Sequence, residues 1–285
     1  MEDNTKLVFQ KERNSNEILS SAFAFYKSNY KDILSKNIIK ILPFFLLLVV
    51  IYQISGRYTA NFMITGQDFF AFFFAYLLQQ FIILLFITIT QACVLTYIKY
   101  YIYGIVYDKS SYTKNVFKAF SSLLILNFVV VLATVIASFF FLIPGIYLHI
   151  VFLLTPVILV YEDKSPFESI NYSFKFIKGN WWNIFYTLFL MTLITLLFSL
   201  SITLIEYFYS TFKKLFIESG SYMVSPNRFN DPFLFFLHIV SLIIVLFLYI
   251  YLVIVYAMMY FNIIEKRSHS NIFSEIDKIG ENFEE

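Results

Sequence analysis

The length of its apolar runs constrains this chain most. The run from Phe69 to about Tyr103 is far longer than the ~20 residues that cross a bilayer as a helix. Five further runs lie near Asn37–Ser55, Ala119–Ile143, Ile146–Tyr161, Asn183–Glu206 and Phe233–Ile264. Backbone amides in hydrocarbon must be satisfied within the chain, and runs of this length do so as helices. Only 14% of the residues are charged, against about 25% in soluble domains, and the mean hydropathy is +0.72. The expected fold is all-α: a polytopic membrane protein with six transmembrane helices. With 7 glycines against 37 phenylalanines and 22 tyrosines, close helix crossings through small residues are not expected.

One stretch between the runs has explicit boundaries. Ser165, Pro166 and Glu168 form a capping-box start with proline at the first helical position, and Gly179 is a stop. Phe167, Ile170, Phe174 and Ile177 recur at helical spacing, with Lys178, Trp181 and Trp182 following. Tryptophan favours the headgroup layer, so this reads as an amphipathic helix lying on a membrane before the chain enters it. The same pattern occurs 151 residues earlier. Asn14 and Glu17 match the cap, Leu19, Phe23 and Tyr26 match the stripe, and residues 22–33 align with 173–184 without a gap. Lys27 accompanies this first stripe. The spacing predicts an internal repeat of an interfacial helix (residues 14–36 and 165–178) followed by spans.

Of the 21 Lys and Arg residues, all but Arg57, Lys213, Lys214 and Arg228 fall on one side if six spans alternate from the N-terminus. Positive flanks translocate poorly, so both termini and both interfacial helices are expected in the cytoplasm of a bacterial inner membrane. Residues 1–13 read as a mobile N-terminus, 14–265 as a single membrane domain and 266–285 as a cytoplasmic tail. The lysines there suit anionic lipid headgroups, and the apolar stripes suit lipid or a protein partner in the membrane. The net charge of +2 gives no case for nucleic acid.

Phe141-Leu-Ile-Pro-Gly-Ile-Tyr-Leu148, Thr155-Pro156, Glu162-Asp163 and Ser173 to Trp182 form an ordered string. It resembles the membrane domain found beside some bacterial glycerophosphoryl diester phosphodiesterases, and related stand-alone inner-membrane proteins, over residues 15–265. The resemblance implies an all-helical membrane domain without phosphodiesterase activity, since the soluble catalytic domain is missing. Pro144-Gly145 is expected to be the tight turn of a hairpin between the third and fourth spans.

The search for chemistry yields little. The histidines are His149, His238 and His269, and Cys93 stands alone; no residue pattern calls for a metal, a cofactor or a hydrolytic nucleophile. Gln79, Gln80 and Gln91 suit hydrogen bonds between helices. Asn127 and Glu206 are the polar residues within spans that a transport pathway would use, although one asparagine also serves as packing glue. The expectation is a non-enzymatic accessory or scaffold subunit of a membrane assembly; the alternative is a small-molecule or lipid transporter.

Overall fold

The computed structural model describes residues 8–216 and 231–281, except the side chains of residues 64, 142, 214, 216 and 269–281. Among the described residues there are eight α-helices and no strand: α1 (Ser15–Thr65), α2 (Phe69–Tyr103), α3 (Lys109–Phe140), α4 (Leu142–Phe152), α5 (Thr155–Tyr161), α6 (Pro166–Ile177), α7 (Trp181–Phe216) and α8 (Pro232–Glu281). Six helical stretches are long and apolar enough to cross a membrane, α4 and α5 together making one of them. The protein is an all-α polytopic membrane protein.

Several boundaries differ from expectation, each for a local reason. Residues 14–36 are not a separate helix but the start of α1, which is continuous for 51 residues and runs through Pro43. Its cap is the expected one: Asn14 Oδ1 accepts from the Glu17 N–H at 2.9 Å, and Glu17 Oε2 accepts from the Asn14 N–H at 3.1 Å. In the later stretch the chain does break, at Gly179 with φ +85°. The aligned residue in α1 is Ser28, whose Cβ disfavours that left-handed conformation, so the helix continues. Gly56, Arg57 and Asn61, between the first two apolar runs, are likewise helical, and the connection shrinks to residues 66–68, where Gly66 and Asp68 have φ +68° and +61°.

Residues 8–13 pack against the helices. Phe9 is buried against Phe25, Tyr101 and Phe261, and the Arg13 guanidinium donates to the carbonyls of Val8, Phe9 and Lys11. The last helix does not stop near Ile264, because α8 continues to Glu281. Between the last two apolar runs, α7 continues to Phe216; residues 217–230 lie outside the described residues, as does the side chain of His269.

The hairpin of α3 and α4 forms, but its turn is Phe141, in extended conformation at φ −152° and ψ 129°. Pro144 and Gly145 sit in the first turn of α4 instead. A Cβ on Gly145 would lie 2.0 Å from Ser138 Oγ and 2.9 Å from Ser138 Cα, so this glycine makes the close crossing that its scarcity argued against. The fourth span breaks again between α4 and α5. Pro156 lacks the N–H that would continue the ladder back to Phe152, and the Thr155 hydroxyl donates to the freed Phe152 carbonyl at 2.6 Å.

The chain forms two compact units. The first comprises the described residues of Met1–Lys36, Gln91–Leu188 and Tyr251–Glu285. Its core is built from segments buried all round, as continuous apolar helices in an interior must be: Ala92–Ile98 of α2, all of α5, and Val253–Ile263 of α8. Tyr161 of α5 packs on Tyr260 and Phe261 of α8, and its hydroxyl donates to the Leu95 carbonyl of α2. The second unit comprises Asn37–Thr90 and Phe189–Ile250. There the Ser55 hydroxyl of α1 donates to Gln79 of α2, and Tyr52 packs on His238 at 5.0 Å. Asp231 caps α8 by accepting from the N–H groups of Phe233 and Leu234, and it binds the Lys213 ammonium of α7 at 2.7 Å.

Candidate functional site

Helix α6 carries the first group of candidate residues. Ser165 Oγ accepts from the Glu168 N–H at 3.4 Å, and Glu168 Oε2 accepts from the Ser165 N–H at 2.9 Å, closing the expected capping box. Hydrogen bonds from the Ser165 hydroxyl and from its backbone N–H hold the Glu168 carboxyl below its usual range. At the other end the Arg267 guanidinium donates to the carbonyls of Lys175 and Phe176, both at 2.8 Å. It thereby satisfies groups that a helix C-terminus leaves open and complements its dipole.

The face that α6 buries is Ser169, Ser173, Phe176 and Ile177. Phe176 stacks on Tyr260 at 5.2 Å. Of the expected stripe, Ile177 therefore belongs to the core and Ile170 is half-buried, whereas Phe167 and Phe174 stay 62% and 40% exposed. Phe174 also meets Phe152 of α4 edge-on at 5.5 Å. Beyond the break, Lys178 is exposed, Trp181 stacks on Phe185, and Trp182 is 73% exposed. The result is an apolar outward face anchored by a polar cap at each end.

The corresponding residues of α1 gather around α8. The Leu19 carbonyl accepts from the Tyr251 hydroxyl at 3.0 Å. Phe23 and Tyr26 lie 6.2 and 6.1 Å from the Tyr251 ring, Phe23 being 55% exposed and Lys27 exposed beside it. Positions aligned between the two stretches share their environment. Ile18, Ala22, Phe25 and Ile33 are buried, and so are Ser169, Ser173, Phe176 and Ile184.

The two polar span residues differ in setting. Asn127 of α3 donates to Gln91 Oε1 of α2 at 2.8 Å, both side chains buried, which makes it an interhelical clasp. Glu206 is buried in α7 within the second unit. His149 and His238 belong to different units.

A second feature was not anticipated. A cavity of about 440 Å³ opens in the first unit between α2, α3 and the segment joining α5 to α6. Lys99, Lys118 and Lys164 line it, with Asp163 the carboxylate in its wall. The Lys99 ammonium donates to the Val160 carbonyl at 2.8 Å and to Asp163 at 3.1 Å. Lys164 pairs with Glu162 and lies 4.4 Å from the centre of the Tyr172 ring. Its hydrogen bond to Glu162 holds the ammonium above its usual range. Thr96, Ser122 and Ser165 add hydroxyls, and the Asn115 amide donates to the Tyr100 hydroxyl at 2.8 Å. Helical spacing carries a trace of this: Thr96, Lys99 and Tyr100 share one face of α2, and Asn115, Lys118 and Ser122 one face of α3.

No family model, curated protein or solved structure matches the chain.

Proposed function

We propose that the chain is a non-enzymatic, multi-pass protein of a bacterial inner membrane, acting as an accessory or scaffold subunit. Both termini face the cytoplasm, and the stretches near residues 14 and 165 are copies of one repeated unit that meets the cytoplasmic leaflet. The observation that carries this reading is the outward face of α6. Phe167, Phe174 and Trp182 are large and exposed, yet the helix beneath them is fixed by its capping box, by Arg267 and by the packing of Phe176. A rigid helix presenting bulky apolar groups suits attachment to lipid or to a partner helix. Its neighbouring lysines suit anionic headgroups.

The test is affinity purification from native membranes in mild detergent, followed by native mass spectrometry. The wild-type chain should retain a stoichiometric protein partner, and Phe167→Asp with Phe174→Asp should release it without lowering the melting temperature by more than a few degrees. Ile177 is left intact because it is core. An unchanged partner set in that variant would count against the scaffold reading. The transporter alternative draws on Glu206, a carboxylate buried within a span; Glu206→Gln should then alter uptake or ligand-induced thermal stability.

A further inference from the structure

We infer that the cavity between α2, α3 and the α5–α6 connection is a binding site for a phosphate ester. Lys99, Lys118 and Lys164 line the cavity with Asp163, and Glu162 pairs with Lys164, which leaves an excess of one positive charge at the site. The three lysines are not equally committed. Lys99 is held in place by Val160 and Asp163, and Lys164 by Glu162. Lys118 has no side-chain partner among the described residues. Its exposed ammonium brings three donors and no acceptor, so the cavity presents cationic donor capacity that the chain itself does not consume.

The remaining lining fits the same chemistry. Thr96 brings a hydroxyl from α2, and Ser122 a hydroxyl and Asn115 an amide from α3. A phosphate group offers several acceptor oxygens, and its hydrogen bonds to ammonium groups are charge-assisted and strong. A volume of about 440 Å³ falls within the roughly 300–1,000 Å³ of small-molecule sites. Leu159, Val160, Ala119 and Ile105 supply an apolar portion of the wall against which a glycerol or acyl portion can rest. The N-terminus of α6 is not the source of attraction, because Glu168 and Ser165 already occupy it.

Asp163 gives the site an internal competitor. Its carboxylate pairs with Lys99 while remaining 75% exposed, so an incoming phosphate can take over part of the Lys99 pairing. The residue sits at φ +49°, a conformation that asparagine tolerates as well as aspartate does. Asp163→Asn therefore removes the competing charge while keeping the turn. Two substitutions then move affinity in opposite directions: Lys118→Gln weakens binding and Asp163→Asn strengthens it, each by about fivefold, the effect of one charge at a membrane surface.

The site does not depend on the partner-recruiting face of α6, and the experiment reads ligand binding alone. The purified full chain would be titrated with sn-glycerol 3-phosphate and with inorganic phosphate in detergent. It would also be placed in nanodiscs containing phosphatidylglycerol or only phosphatidylcholine, with retained lipid counted by native mass spectrometry. Enrichment of phosphatidylglycerol that falls in Lys118→Gln and rises in Asp163→Asn supports the site and assigns it to a lipid headgroup. The same opposite responses confined to the soluble probes support the site and assign it to a free phosphate ester. Absence of binding by all probes at millimolar concentration, or binding that neither substitution changes, overturns the proposal. Thermal melting of each variant separates loss of binding from loss of fold.

Discussion

At the scale of single residues, two positions carry unusual weight. Gly145 stands where any Cβ would enter the space of Ser138, backbone included. Replacing glycine with alanine inside a helix ordinarily gains up to about 1 kcal/mol, whereas forcing extra volume into a packed contact costs about 1–3 kcal/mol. The clash outweighs the propensity gain, so Gly145→Ala should lower the melting temperature, and Ser138→Gly in the same chain should restore part of the loss. Asp231 tests electrostatics in the other unit. Burial opposes its charge, but the Lys213 ammonium, the Leu234 and Phe233 N–H groups and the Tyr209 hydroxyl outweigh that and hold its carboxyl below the usual range. A depressed folded-state pKa gives stability that is present above the unfolded value of about 3.9 and is lost as pH falls through the folded value. Asp231→Asn should therefore melt earlier than wild type at pH 7, with the gap closing below about pH 4.

At the scale of elements, the local signals that proved legible were those written in adjacent residues. Ser165, Pro166, Glu168 and Gly179 were enough to bound α6, since caps and stops are local hydrogen-bond problems. The limits of α2 were equally plain from its apolar run. What the sequence did not reveal was how faces meet. The apolar residues of α6 occupy more than one side, and periodicity alone did not indicate that Phe176 and Ile177 rather than Phe174 enter the core. Arg267 reaches the end of α6 from far along the chain, and the basic cavity draws on three elements. Local spacing groups the cavity residues of α2 and of α3 on one face each, but it does not say which distant faces meet. The continuity of α1 turned on one residue, Ser28 in place of glycine. Gly179 itself has open space around its missing Cβ, so Gly179→Ala should cost only its left-handed backbone, about 1–2 kcal/mol. That variant should show faster amide exchange across α6, with little change in the rest of the first unit.

At the scale of the whole molecule, helix length governs the relation to the membrane. The 51 residues of α1 extend about 75 Å at 1.5 Å per residue, against a hydrocarbon core of about 30 Å. Even a tilt of about 40° stretches the path only to roughly 39 Å, so much of α1 stands outside the hydrocarbon. Its polar first part, Ser15–Lys36, is the portion suited to water and headgroups. That segment is continuous with the span and is not a separate helix. The uneven distribution of lysine and arginine orients the chain in our account, and it puts both the α6 face and the basic cavity at the same leaflet. The roles proposed for the α6 face and for the cavity both rest on this orientation. The measurement that tests it is cysteine accessibility in intact cells, in a Cys93→Ser background, with single cysteines placed at exposed Val8, Gln67, Val106 and Ser268. With both termini cytoplasmic, Gln67→Cys should react with an impermeant maleimide from outside, while Val8→Cys, Val106→Cys and Ser268→Cys should react only after the inner membrane is opened. Labelling of Val106→Cys and Gln67→Cys from the same side would contradict this orientation.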